Sequence, residues 1–478
     1  MNRNIFVLLV GMFAVTGGCT LAPKYSRPEA PVPDHWPTGA AYPTTQPTTR
    51  PADAAQLKRQ EFFRDEKLHR VIEMALTNNR DLRLAALNVE RSRALYGIQR
   101  AGLFPVINAL GSQSKQRLPA DLSATGQSMT VKQYGANIGL TAWEIDFFGR
   151  IRSLSDAAQE EYFATEQARR SAQILLVSEI ANTYLALAAD REALNLAKNT
   201  LETQQDAYVL VKRRLDHGLV SELDLYRAQT QVDTARADVA RFIQRVARDE
   251  NALILLAGSP VPDNLLPAKL DSDSSLKEIS PSLSSVVLLH RPDILQAENH
   301  LRATNANIGA ARAAFFPRVS LTTAIGTGSD ELSGLFASGS KAWSFAPQIV
   351  MPVFDSRTWS ALRVSKVQKQ LAIAQYEKAI QTAFREVADA LAVRGTVDEQ
   401  LSAQQSLVDA VAKTYRLSNA RYTEGIDSYL SVLDAQRSLY AAQQGLIAIR
   451  LGKLVNQVRL YAVLGGGWQS ESTLPAPR

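Results

Sequence analysis

The sequence holds one cysteine, Cys19, and five scattered histidines, His35, His69, His217, His290 and His300. A lone thiol excludes a disulfide framework, and so few imidazoles argue against a multi-ligand zinc site. Charge of one sign is also lacking: 53 basic and 47 acidic residues in mixed order leave a net charge of +6. That is a solvated surface, without the basic stripe of a nucleic-acid binder. Beyond residue 18 there is no run of 18 uncharged apolar residues, so no membrane-crossing helix is expected. No Gly-rich phosphate loop, metal-spaced ligand set or nucleophile motif occurs, which makes an enzyme the poorest reading. Proline is absent from Ala120 to Ser259 and again from Val353 to Leu474. Proline-free stretches of that length call for long helices.

The chain repeats itself. Arg214, Gly218, Ser221, Leu223, Ala228 and Gln229 return 207 residues later as Arg421, Gly425, Ser428, Leu430, Ala435 and Gln436. In each copy a long amphipathic pattern breaks once at the glycine and resumes, as in a helical hairpin. In the first copy Ile180, Leu187, Leu194, Leu201, Tyr208 and Leu215 fall seven apart, and Leu225, Val232, Val239, Val246 and Leu253 do so again. This is a heptad seam, which the second copy keeps in Val387, Leu401, Val408, Tyr415 and Tyr422, then Val432, Leu439, Leu446 and Leu460. A helix from about Arg150 to Asp216 would be roughly 100 Å long, longer than any globular core. The two copies also share a helix that ends at Phe-Pro, at Phe104-Pro105 and Phe316-Pro317, followed by strand.

Four segments alternate as strands do. In the clearest, Tyr134, Ala136, Ile138, Leu140 and Ala142 share one face, with Gly135, Asn137, Gly139 and Thr141 on the other. Arg318 to Ile325 and Trp343 to Met351 alternate likewise, and Val106 to Gly111 does so more weakly. Each run is about ten residues, enough to span a bilayer as a tilted strand. Phe104, Trp143, Phe147, Phe148, Phe316, Trp343 and Phe354 near their ends suit an interfacial girdle; a soluble sandwich with an aromatic core is the alternative. Four lipid-facing strands cannot close a barrel alone, because an open edge in lipid is prohibitively costly. Several chains must therefore share one barrel.

The chain begins as a secretory leader does: Arg3, an apolar run from Ile5 to Val15, then small residues. Thr16-Gly17-Gly18-Cys19 resembles a bacterial lipobox, in which Cys19 becomes the diacylated N-terminus; an ordinary signal peptide is the alternative. Thr20, not Asp, follows the cysteine, which favours the outer membrane over inner-membrane retention. Eight prolines between Pro23 and Pro51 make the next stretch an extended tether. The expected organisation is a leader over 1–18, a lipid-anchored extended segment over 19–58, repeats over 59–258 and 281–466, a junction over 259–280 and a tail over 467–478.

Across nearly the whole mature chain, ordered motifs resemble the TolC family of outer-membrane efflux channels, in its OprM/NodT lipoprotein branch. They include Cys19 with Pro23, Tyr25 and Pro28, Phe62-Phe63 with Asp65, Asn78-Asn79-Arg80-Asp81-Leu82, Asp146-Phe147-Phe148-Gly149-Arg150, Arg291-Pro292-Asp293-Ile294, Ala310-Ala311-Arg312-Ala313 running into Phe316-Pro317, and Leu433-Asp434-Ala435-Gln436-Arg437. The resemblance implies a mainly α chain with membrane β: a homotrimer with a twelve-stranded β-barrel, four strands per chain, continued by a long periplasmic α-helical coiled-coil barrel. It implies diacylglycerol and palmitate on Cys19 and no other cofactor. It also implies an outer-membrane location, a periplasmic adaptor protein and an inner-membrane transporter as partners, and the efflux of small molecules such as drugs or toxic compounds. A protein-secretion duct and a trimeric coiled-coil structural protein are the rival readings.

The family's periplasmic gate carries over to Tyr422, Asp434 and Arg437, with Asp427 in the same turn and Asp224 on the first tip. From these positions we expect carboxylates of Asp427 and Asp434 to converge and favour cations. Arg437 should neutralise Asp434 one turn away, and Tyr422 and Asp224 should tie the hairpin to its neighbours.

Overall fold

The computed structural model describes residues 20–42, 59–270, 276–277 and 285–466. Cys19 and the leader lie outside the described residues, as does the tail from 467. After a helical turn at Arg59–Phe62, the chain runs through α1 (Glu66–Asn78), α2 (Arg80–Ala101), β1 (Ile107–Leu118), β2 (Met129–Ile145), α3 (Arg150–Asp216) and α4 (Glu222–Ala257). The second copy supplies α5 (Pro292–Ala313), β3 (Arg318–Ser329), β4 (Lys341–Val350), α6 (Ser356–Thr423) and α7 (Tyr429–Val463). The described residues fall into two compact units, one within Met1–Glu29, Asn88–Glu166 and Gln296–Tyr376, the other within Ala30–Leu87, Gln167–Leu295 and Glu377–Arg478.

The first unit carries one antiparallel sheet in the order β1-β2-β3-β4. Its register sorts the side chains into two unlike faces. One face stacks Ile107, Leu140, Thr323 and Phe345 in one row and Ala109, Ile138, Ile325 and Trp343 in the next; the other stacks Asn108, Gly139, Ala324 and Ser344. The apolar face is uncovered, with Ile107 at 69%, Trp343 at 74% and Ile349 at 70% exposure. On the small-residue face the strands approach closely: a Cβ at Gly139 would meet the Thr323 carbonyl at 2.1 Å, and one at Gly326 the Ala136 carbonyl at 2.1 Å.

One expectation fails within β2. The alternating pattern runs unbroken through Ala142, but the ladder shifts there, with Thr141 and Ala142 together facing Thr322 between the pairs Leu140–Thr323 and Trp143–Leu321. Ala142 takes φ 48°, and its N–H donates to Thr322 Oγ1 at 3.1 Å. The extra residue restores parity, so Trp143 and Ile145 stay on the apolar face beside Leu321 and Val319. In a regular ladder of the same chain length both would turn to the polar face.

The Asp146-to-Arg150 motif turns β2 into α3. Gly149 adopts φ 72°, Asp146 Oδ2 accepts the Arg152 N–H at 2.8 Å, and Arg150 holds Glu144 through two bonds of 2.8 and 2.7 Å. The extended N-terminal segment is clasped in the same unit: Arg312 donates to the Leu21 carbonyl at 3.0 Å and Asn305 to that of Pro23 at 2.7 Å. Its strongest tie is Glu298, 2% exposed, which accepts from Tyr25 at 3.1 Å, from Arg302 at 2.8 Å and from Arg27. Two guanidiniums hold the Glu298 carboxyl below its usual range against the opposing effect of burial.

In the second unit the family motifs prove to be joints. Asn79 ends α1, caps α2 by accepting the Leu82 N–H at 2.9 Å, and donates to the Leu256 carbonyl at 2.9 Å near the end of α4. There Gly258, at φ 68°, lies so close that a Cβ would meet the Asn78 carbonyl at 2.4 Å. Arg291, 9% exposed, is held by Asp293, by Glu386 at 2.9 Å and by the Val463 carbonyl at 2.8 Å. Phe62 stacks on Tyr461 with centroids 4.2 Å apart.

The heptad seam is present but displaced. Ile180 and Leu187 are buried, whereas Leu194, Leu201, Tyr208 and Leu215 are only half-buried, and the layer three residues on, Ala197, Gln204 and Val211, is buried instead. A helix in a two-sided coiled-coil wall buries one layer within its own chain. The other layer awaits a neighbour. One window of α3, with mean hydropathy 1.3, is apolar enough to cross a membrane if a few charges are tolerated, but 56% of it is buried, as in a core helix.

Candidate functional site: the hairpin tips

Both tips lie in the second unit and turn by one device. At the first, Leu219 N–H returns to the Arg214 carbonyl and Gly218 N–H to that of Leu215, both at 2.8 Å; at the second, Ile426 N–H returns to Arg421 at 2.9 Å and Gly425 N–H to Tyr422 at 3.1 Å. This is the Schellman closure. Its glycines sit at φ 71° and 72° with nothing within 4 Å of an added Cβ, so backbone conformation alone selects them.

Past the glycine the two tips diverge. Ser221 and Asp224 form a reciprocal capping box that starts α4, and Asp224 also faces Arg227 at 3.8 Å. Asp224 is thus engaged within its own helix, and among the described residues no hydrogen bond joins it to Tyr422. In the second copy Ser431 stands in its place and Ser428 makes no side-chain cap.

Tyr422 is 8% exposed and packs with Val211, Ala228, Tyr429, Val432 and Leu433, so it seats the second hairpin against the first. Its ring lies 5.2 Å from that of Tyr429 and beneath the Arg214 guanidinium at 4.7 Å. The hydroxyls of Tyr422 and Tyr429 are buried without a hydrogen-bond partner among the described residues. Burial, with the Tyr422 and Tyr415 phenols nearby, pushes Tyr429 up to about 12.

The carboxylates divide differently from the expectation. Asp427 is gripped by Arg421 through Nε at 2.6 Å and Nη2 at 3.1 Å, which holds its carboxyl below the usual range. Asp434 is exposed, and no described residue forms an ion pair with it. The expected Asp434–Arg437 pair does not form, because Arg437 reaches across to α4 and donates to Gln231 Oε1 at 3.0 Å. The neutralised carboxylate is Asp427, held by Arg421, and not Asp434.

Sequence reasoning missed a second cross-hairpin contact one turn beyond Arg437. Tyr440 donates to Asp238 Oδ2 at 3.0 Å, and Arg241 pairs with the same carboxylate at 2.8 Å. Burial and Asp238 push the Tyr440 phenol up to about 12. The available signal was spacing: Gln231 and Asp238 are one heptad apart, and Arg437 and Tyr440 one turn apart. Among the described residues no group of three His, Cys, Asp or Glu could hold a metal ion. The site's chemistry is that of contacts between helices.

Comparison with known proteins places this arrangement. The family described as "Outer membrane efflux protein" matches residues 71–259 and 283–466. The toluene efflux pump outer membrane protein TtgC of Pseudomonas putida is 48% identical over 474 residues, covering 99% of this chain and 97% of that protein. A crystal structure of a membrane protein from Pseudomonas aeruginosa aligns with a TM-score of 0.88 at 40% identity, over 95% of this chain and 99% of that one. The open-state MtrE outer membrane channel of Neisseria gonorrhoeae gives 0.85 at 36% identity, over 95% and 100%. With two matched repeats, two such hairpins and a sheet with one apolar face, the chain belongs to the outer membrane efflux protein family and works as an outer-membrane exit duct for efflux.

Proposed function

We propose that three copies of this chain form a lipid-anchored exit duct that passes small apolar organic compounds from a periplasmic adaptor and an inner-membrane transporter to the cell exterior. The observation that carries this reading is the four-stranded sheet with an exposed apolar face, a polar face and two unpaired edges, β1 and β4. In lipid such edges must be paired, and three fourfold contributions make a barrel of twelve strands. The half-buried layer of the α3 seam gives the helical part a surface of the same kind for its neighbours. Cys19, one residue ahead of Thr20, carries the diacylglycerol and palmitate. Support for an apolar substrate comes from the toluene pump named for a 48%-identical relative.

Removing the gene should lower growth tolerance to toluene and to lipophilic antibiotics, and the intact gene should restore it. Unchanged tolerance to every such compound, with protein export impaired instead, would favour the secretion-duct reading. Labelling with radioactive palmitate tests the anchor: an unlabelled wild-type protein sinks that clause alone.

A further inference from the structure

We infer that the far rim of the sheet binds the phosphorylated headgroup of an outer-leaflet lipid, through Lys115, Arg117 and Lys132. This rests on the proposed meeting of the apolar face with lipid. In the β1–β2 ladder Lys115 stands directly opposite Lys132, and Arg117 opposite Thr130. All three cations lie on the same face as Ile107, Ala109, Ile138 and Leu140. Their Cα atoms are close: about 5 Å across the pair and about 7 Å between Lys115 and Arg117.

Position along the strands makes the cluster specific. The apolar face runs from Ile145 through Trp143, Leu140 and Ile138 to Tyr134, which pairs with Gln113; the next pair outward is Lys115–Lys132. The cations therefore lie just past an aromatic residue at the edge of the apolar band, the depth at which headgroups lie. They sit at the β1–β2 hairpin end, remote from the helices. Lys341, which opens β4 opposite Thr327, adds a fourth cation on this face. The strands' one acidic residue, Glu144, pairs with Ser320 on the other face near α3 and is held by Arg150. Every charge on the lipid-facing side is thus positive and lies at one end.

Two like charges directly opposed in a ladder are destabilising. Lys115, Arg117 and Lys132 are all exposed, and no described acidic side chain pairs with any of them. An anion bridging Lys115 and Lys132 would turn that repulsion into two charge-assisted contacts. A phosphate monoester on a membrane lipid meets both requirements, because its acyl chains lie along the apolar band while its charge meets the rim.

The test uses the detergent-extracted full-length protein, with native mass spectrometry of bound lipid and single-channel conductance measured on the same preparation. The probes are bis-phosphorylated lipid A and its dephosphorylated form. Wild type should retain the phosphorylated lipid at least tenfold more than the dephosphorylated one, and moderate salt should reduce the difference. The Lys115→Gln, Arg117→Gln, Lys132→Gln triple variant should lose roughly a hundredfold in retention while conducting as wild type does. Equal retention of both lipids by wild type overturns the proposal without needing any variant. Full displacement by millimolar inorganic phosphate also overturns it, because the site would then be one for free phosphate. If conductance is normal and retention shows no phosphate dependence, the lipid site is wrong and the duct stands. If neither channel nor oligomer forms in wild type, the duct reading itself fails.

Discussion

Tyr422 and Tyr429 bring two phenols into the tip core without a described hydrogen bond to either hydroxyl. Removing an unpartnered buried hydroxyl costs little, whereas removing a ring leaves a cavity. Tyr422→Phe should therefore leave stability and conductance near wild type, while Tyr422→Ala should destabilise the tip by about 3 kcal/mol and raise open time in a planar bilayer. A strong effect of the Phe variant would reveal a partner for that hydroxyl across a subunit boundary. The acids make a second residue-scale prediction. Asp434→Asn should weaken cation preference, and Arg421→Gln should strengthen it by releasing the charge of Asp427; unchanged reversal potentials in both would remove these residues from the conduction path. A third concerns Asp249, which continues the seven-residue spacing of Ala228, Ala235 and Phe242 on α4. Burial first, then the neighbouring Asp190, pushes Asp249 up to about 6 even with Arg248 and Arg245 nearby, and Arg245 also reaches Asp190 at 3.7 Å. Its folded value exceeds the ordinary 3.9 or so, so protonation favours the folded form. The associated stability is complete below about pH 4 and is lost as pH rises through 6. Asp249→Asn should flatten that dependence in circular-dichroism melts and stabilise the protein at pH 7.5 by up to about 1 kcal/mol after allowance for solvent screening.

At the scale of elements, β2 depends on a single inserted residue. Ala142 holds a left-handed conformation that costs a non-glycine residue about 1–2 kcal/mol. Ala142→Gly should therefore assemble at least as well as wild type. Deleting Ala142 should leave Trp143 opposite Leu321 in a regular ladder, keep Trp143 and Ile145 on the apolar face, and preserve heat-modifiable oligomers on semi-native gels. Loss of oligomers from the deletion would show that the barrel needs the bulge itself and not only the facing it sets. The strands are legible in the sequence because their period is two, yet the bulge is hidden there, since Thr141 and Ala142 read as one more alternating step. Both long hairpins are legible from missing proline and from Gly218 and Gly425. Burial of Ala197, Gln204 and Val211 in place of Leu194, Leu201 and Tyr208 is not, because a heptad pattern does not say which layer meets its own chain. The tip pairing is hidden for a related reason: spacing makes Arg437 and Asp434 neighbours on one helix, while Gln231, which competes for Arg437, is 206 residues away.

At the scale of the whole molecule, the duplication predicts assembly. One chain brings a sheet with two open edges, so the extracted protein should have three times the mass of the processed chain by native mass spectrometry. A monomer would contradict the barrel. On the proposed lipidation, the Cys19→Ala variant should lose the lipid label and still form that oligomer, because strand pairing is independent of the anchor. The duplication also leaves a divergence at its two tips. Arg214 and Arg421 are the same residue in the two copies, with Val220 six positions on in one and Asp427 in the other. With valine downstream, the first arginine lies over the Tyr422 ring; with aspartate downstream, the second folds back on its own turn. The residue six positions on therefore separates an arginine that serves as mortar between hairpins from one that is ballast within its own, and Val220→Asp should draw Arg214 off the Tyr422 ring onto its own turn.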